Sequence, residues 1–317
     1  GMRMMEIRGM FSSRDFLTLL DFTPQEVEQL LKGAEIVKRE QKNGTFADAL
    51  KGKSLGMIFE NASTRTRVSF EVGMTQLGGH ALFLNPRDLQ IGRGEPLIDT
   101  ANVLSRYLDL IMIRTNAHET VEQLAEYATI PVINALTDNF HPCQAVADLL
   151  TIYEKKKTLK GLKLAYVGDG NNVAHSLLAA GAKVGMNVTI ASPKGYEVNE
   201  EIFMRANDAA KETNATLTLT DDPVEAVKDA DVIYTDVWAS MGYEQEQKER
   251  EKAFRDYQVN EALVKWAKDD FIFLHCLPAH RGEEVSAEVI DGTHSVIYDQ
   301  AENRLHAQKA IMLALLP

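Results

Sequence analysis

Residues 60–70 read ENASTRTRVSF, directly after the apolar run 55–59. Ser63 stands where it can cap a helix, followed at once by Thr64, Arg65, Thr66 and Arg67. A helix N-terminus carries roughly half a positive charge and several backbone N–H groups without intrahelical partners. Hydroxyls and guanidiniums added there form a cradle suited to a tetrahedral oxyanion such as phosphate. The competing reading is a capped helix with solvated arginines, which so many donors at one strand-to-helix turn disfavour. No G-x-x-x-x-G-K precedes the stretch, so it is not a P-loop.

Other residues with chemical potential also fall at ends of apolar runs. Arg114 closes DLIMIR, and FHPCQ places His141 and Gln144 around a proline that opens a helix. YVGDGNNVAHS sets glycines and two asparagines at another strand-to-helix turn. It resembles the start of a dinucleotide fingerprint, but Val173 occupies the place of the third glycine. The next strand pattern ends IASPKG, without the acid that would bind a ribose, so a nicotinamide cofactor is disfavoured. YTDVWASMGYE delivers Asp236 and then a loop carrying Ser240 and Met241, while FLHCLPAHRG delivers His275, Cys276, Leu277 and Pro278. A zinc reading of His141, Cys143, His275, Cys276 and His280 lacks paired-ligand spacing. Cys276 as a nucleophile would need an activating base; in isolation it reads better as a buried structural thiol. DQAENRLHAQ brings Arg304 into the first turn of a terminal helix.

The elements that position these residues alternate. A helix is predicted near 24–39, a strand at LGMIFE, and a helix from TRVSF onward with Phe70, Met74 and Leu77 on one face. The strand HALFL, helices near 97–107 and 119–127, and strands DLIMIR and PVINA follow. After the HPCQ helix, KLAYVGD, NVTIAS, ATLTLT, DVIYTD, FIFLHC and SVIYDQ are predicted strands separated by helices. This rhythm is that of parallel βαβ units. The expected fold is α/β: two doubly wound parallel-sheet domains with an interdomain cleft. The boundaries fall at 1–150 and 151–299, with an amphipathic helix at 300–317 packing back on the first domain. Ligands of such sheets bind beyond the carboxyl ends of the strands, where the unusual residues lie.

Composition removes several classes. The 317 residues carry 34 basic and 46 acidic side chains, a net charge of −12, which disfavours nucleic-acid or anionic-membrane surfaces. Two distant cysteines make no disulfide framework and favour a reducing cytoplasm. No apolar run approaches the roughly 20 residues of a membrane span, and the opening residues lack a secretion-signal core.

STRTR, HPCQ, DVWASMG and FLHCLP, in this order, resemble the aspartate/ornithine carbamoyltransferase family, with the last two marking its ornithine branch. The resemblance implies transfer of a carbamoyl group from carbamoyl phosphate to the δ-amine of L-ornithine, giving L-citrulline. It assigns Ser63, Thr64, Arg65 and Thr66 to the phosphate, with Arg304 nearby. Arg114, His141 and Thr66 would polarise the carbonyl, and Gln144 and the Leu277 carbonyl would hold the carbamoyl amine. Asn172 and the Met241 N–H would take the ornithine carboxylate, and Asp236 and Ser240 its α-ammonium. Cys276, with Asp236, is associated with the reacting amine. Gln90 would reach a neighbouring subunit's site, implying a trimer or a multiple of trimers. No cofactor and no metal is implied, and closure of the two domains would exclude water. The alternatives are a carbamoyltransferase for another amine such as putrescine, a dehydrogenase, and a non-catalytic relative. The last would be expected to lack Arg65, Arg114 or Cys276, all of which are present.

Overall fold

A computed structural model describes residues 4–44, 48–89, 96–239 and 246–317. The chain divides into two compact units, Gly1–Leu150 with Arg304–Pro317, and Thr151–Asn303. It passes between them within two helices, Pro142–Lys156 and Ile297–Leu315.

Among the described residues, the first unit has four parallel strands: β1 (Ser54–Phe59), β2 (His80–Leu84), β3 (Leu110–Arg114) and β4 (Val132–Leu136), ordered β2-β1-β3-β4. Leu110, Ile111, Met112 and Ile113 are all fully buried, as expected for a strand covered on both faces. Between β1 and β2 lies the helix Thr64–Gln76, whose Phe70, Met74 and following Leu77 bury one face. Gly78, at φ +87°, ends it in the left-handed conformation that a glycine adopts at little cost. The order reverses between β1 and β3, so the loops after these strands diverge and leave a crevice at their carboxyl ends. Phe59 lies in register with Arg114, so the STRTR loop and the arginine leave the sheet at the same level.

The second unit has five parallel strands: β5 (Lys163–Val167), β6 (Asn187–Ala191), β7 (Leu217–Thr220), β8 (Val232–Thr235) and β9 (Ile272–His275), ordered β7-β6-β5-β8-β9. Its reversal falls between β5 and β8, which end in the GDGNN turn and Asp236. Thr235 is in register with His275, so Asp236 and Cys276 leave adjacent strands side by side. Trp238, Phe254, Phe273 and Val289 belong to one buried cluster beneath these turns.

One expected strand does not form. SVIYDQ contributes a single bridge, Ser295 to Phe273, and the chain is helical from Ile297 to Leu315. Its apolar pair was too short to distinguish a strand from the first turn of a helix. Arg304 therefore lies two turns inside the helix rather than in its first turn. The helix is also not amphipathic in exposure: Asn303, Arg304, His306, Gln308 and Lys309 are as buried as Ala310–Leu315. Among the described residues, no helix is long and apolar enough to cross a membrane.

Candidate active site

In the first unit, Ser63 caps the Thr64–Gln76 helix by accepting the Thr66 N–H at 3.3 Å, and no acid stands in the first turn. The Thr66 hydroxyl is a focus. It accepts from Arg114 Nη1 at 3.3 Å, from Arg304 Nη2 at 3.1 Å and from the Ser63 hydroxyl at 3.1 Å. Two guanidiniums thus meet at one neutral oxygen, which creates a strongly anion-attracting potential. Arg304 is aimed by further bonds to Gln144 Oε1 and Gln308 Oε1, each 2.9 Å. Gln144 in turn donates to Asp148 at 2.9 Å. His141 is buried, and burial, with Arg304 and Arg114 adding to it, holds its pKa well below the usual imidazole range. It is therefore neutral near pH 7, able to offer an N–H to a developing oxyanion without contributing a charge.

Arg65 and Thr64 are exposed at the helix start. Arg67 departs from the cradle expected of it. Its guanidinium lies over the Phe83 ring, 4.1 Å from the centroid, and its Nε is 3.6 Å from Glu71. Two positions along a helix differ by roughly 200°, so Arg65 and Arg67 must point to opposite sides. Cys143 is buried and pushed up to about 12 by that burial, an inert thiol directed at the Asn134 carbonyl.

In the second unit, Cys276 Sγ lies 3.3 Å from Asp236 Oδ1, and Asn171 Nδ2 donates to Asp236 Oδ2 at 2.9 Å. Burial raises the Asp236 pKa; His275, Cys276, the Val237 N–H and Asn171 oppose the rise. A buried carboxylate beside a thiol can bind an ammonium group or relay a proton from it. Asn172 opens the helix Asn172–Val184, while Asn171 caps it, accepting from the N–H groups of Val173 and Ala174 at 3.1 and 3.2 Å.

Gly170 shows why the turn is not a nucleotide site. A Cβ there would come within 2.3 Å of Val198 N and 2.7 Å of Tyr196 O. The Gly170 N–H is donated to Tyr196 O, so protein backbone takes the approach a pyrophosphate would need.

Three supporting groups have roles that the sequence did not assign. Arg250 pairs with Asp169 at 3.3 Å and donates to Trp238 O at 2.6 Å, tying together the turns after β5 and β8. His275 accepts the Leu277 N–H on Nδ1 at 2.9 Å and meets the fully buried Glu284 through Nε2 at 2.7 Å. Leu277, at φ +61°, is thereby fixed in a left-handed turn that a branched residue rarely adopts. Asn171 is the third. Arg250 had no sequence signal beyond residue type, while His275 and Asn171 stood at marked strand ends with nothing to name their partners. Gln90, Ser240 and Met241 lie outside the described residues.

Among the described residues, two groups of side chains could offer metal ligands: Asp236, His275 and Cys276, and separately His280, Glu283 and Glu284. In the first, both ring nitrogens of His275 are already engaged, which leaves the imidazole no lone pair for a cation.

The aspartate/ornithine carbamoyltransferase family model matches over nearly the whole chain. Its carbamoyl-P binding domain covers residues 14–154 and its Asp/Orn binding domain residues 160–315. An ornithine carbamoyltransferase of Halalkalibacterium halodurans is 73% identical over 303 residues, 96% of this chain and 95% of that relative. The ornithine carbamoyltransferase structure from Pyrococcus furiosus superposes with a TM-score of 0.94 at 59% identity, covering 96% of this chain and 97% of its own. The anabolic ornithine carbamoyltransferase of Campylobacter jejuni gives a TM-score of 0.89 at 44% identity, over 94% and 97% of the two chains. With both domain models matched in order, Ser63, Thr66, Arg114, His141 and Gln144 within the first and the Asp236–Cys276 pair within the second, the chain belongs to the aspartate/ornithine carbamoyltransferase family.

Proposed function

We infer that this chain transfers the carbamoyl group of carbamoyl phosphate to the δ-amine of L-ornithine, releasing L-citrulline and phosphate. The observation that carries the reading is the meeting of Arg114 and Arg304 at the Thr66 hydroxyl, beside a helix N-terminus with no acid in its first turn. That arrangement suits the dianionic phosphoryl group of an acyl phosphate. Ser63, Thr64, Arg65 and Thr66 hold the phosphate, with Arg304 adding charge. Arg114 and neutral His141 stabilise the carbonyl oxygen as it gains negative charge. Gln144 and the Leu277 carbonyl hold the carbamoyl NH2.

Ornithine is held through its α-carboxylate by Asn172 and the Met241 N–H, and through its α-ammonium by Asp236 and Ser240. Its δ-amine must lose a proton before attack, since a lysine-like amine has a pKa of about 10.4. Cys276, 3.3 Å from Asp236, accepts or relays that proton. The amine attacks the carbonyl carbon directly, the tetrahedral intermediate expels phosphate, and no covalent enzyme adduct forms. Relatives named ornithine carbamoyltransferase disfavour putrescine as the acceptor.

The working assembly is a homotrimer or a multiple of trimers, with Gln90 serving a neighbouring site. Exposure of Leu82 and Phe83 on the edge strand β2, at 39% and 42%, supports self-association through this face. The enzyme acts in the cytoplasm, in arginine metabolism. The test is product formation from carbamoyl phosphate with ornithine, putrescine, acetylornithine and aspartate compared side by side. Citrulline from ornithine, far ahead of the others, is the expected result. Equal or greater turnover of putrescine would overturn the assignment.

A further inference from the structure

We propose that His280, Glu283 and Glu284 form a binding site for a divalent transition metal of the zinc class, separate from the substrate clusters. The three residues occupy the turn that follows the HCLP segment, and one ligand atom from each lies within 4.8 Å of the others. His280 Nδ1 is 3.1 Å from Glu283 Oε2 and 3.9 Å from Glu284 Oε1. Tetrahedral ligands at zinc–nitrogen and zinc–oxygen distances near 2.0–2.1 Å stand about 3.3 Å apart, a spacing these two distances bracket.

Donor availability separates this cluster from its neighbour. Glu284 is fully buried, and its Oε2 is occupied by His275 Nε2 at 2.7 Å and by the His280 N–H at 2.9 Å. Its Oε1 is also buried and has no hydrogen-bond partner, although it is the Glu284 oxygen that faces His280 Nδ1. A buried carboxylate oxygen without a donor is costly, and a cation at this point would satisfy it. His280 and Glu283, about half and a third exposed in their side chains, supply the remaining ligands and leave the metal a route from solvent. One imidazole and two carboxylates suit zinc, cobalt or manganese better than a thiol-selecting ion. The hydrogen bonds of Glu284 Oε2 supply the outer support that orients a metal-binding carboxylate.

Cobalt(II) titration of the whole enzyme, followed by absorption spectroscopy, tests the site. The expected result is one ion per chain, with a visible ligand-field spectrum and no sulfur-to-metal charge-transfer band. The double variant His280→Ala with Glu283→Gln should bind roughly 100-fold more weakly, while Cys276→Ser binds as wild type. Metal-free activity of the double variant should be unchanged, which also verifies its fold. A charge-transfer band lost in Cys276→Ser would move the ion to the Asp236–Cys276 pair and overturn the proposal. Undiminished binding by the double variant, or none by the wild type at millimolar cobalt, would overturn it as well.

Discussion

Replacing Asn171 by serine separates two jobs that one side chain performs. Its Oδ1 caps the helix Asn172–Val184, and its Nδ2 donates to Asp236 Oδ2 at 2.9 Å. Serine caps a helix about as well as asparagine, so Asn171→Ser should lose at most about 1 kcal/mol of stability. The donor to Asp236 is lost outright. A hydrogen bond to a charged group contributes roughly 1.5–3 kcal/mol, so ornithine affinity should fall by roughly 10- to 150-fold if that bond aims the carboxylate. Affinity for carbamoyl phosphate should stay near the wild-type value, because the residues assigned to its phosphate and carbonyl lie in the other unit and the substitution does not touch the Leu277 carbonyl.

The pH dependence supplies a second readout of the same variant. Asn171 is among the groups that hold the Asp236 pKa down against burial. Without it the pKa rises further, and the ionised carboxylate is lost at a higher pH as the solution is acidified. The acid limb of kcat/KM for ornithine should therefore move upward. Asn171→Ala should show the same kinetics plus a further loss of about 0.5–2 kcal/mol from the missing cap. Wild-type ornithine kinetics and an unmoved acid limb in the serine variant would refute the coupling. An equal loss of carbamoyl phosphate binding would show instead that the substitution disturbs the whole fold.

Four other outcomes are expected. Arg65→Ala should weaken carbamoyl phosphate binding by roughly 10- to 150-fold, from the loss of one charged contact; unchanged calorimetric affinity would remove Arg65 from the phosphate site. Asp236→Asn should impair ornithine far more than carbamoyl phosphate, read from steady-state KM and kcat for each. Cys276→Ser should keep the fold and carbamoyl phosphate affinity while losing turnover, with no carbamoylated cysteine in the wild type by mass spectrometry; unchanged pH–rate behaviour would make the thiol structural. Burial raises Asp169 from 3.8 to about 6 despite its Arg250 pair, so the folded state binds this proton more tightly than the unfolded chain. Stability from this group is present below pH 4 and declines by about 3 kcal/mol as pH rises through 6, a slope that Asp169→Asn should remove in pH-dependent unfolding.

Much of the architecture follows from local pattern. The βαβ rhythm needs only the period of the apolar residues and the placing of glycines and prolines, which is why nine strands and the long helices were legible where SVIYDQ was not. Apolar side chains must be covered wherever they occur, so Ile111 and Phe70 announce their burial by type and spacing alone. The anion cradle was legible for a similar reason: a cap, two hydroxyls and an arginine lie within one turn, where the helix itself supplies the geometry. What the sequence could not supply was strand order. Only the reversals between β1 and β3, and between β5 and β8, bring Arg114 beside STRTR and Asp236 beside the GDGNN turn. Register then decides which atoms meet, as Thr235 opposite His275 sets Asp236 next to Cys276. Arg67 fails as a ligand because helical rotation carries it to Phe83. Arg304, 238 residues from Thr66, reaches its hydroxyl only because the terminal helix is folded back into the first unit. Hydrogen bonds and ion pairs depend on distances of a few ångströms between groups remote in the chain, and those distances exist only once the sheets have formed.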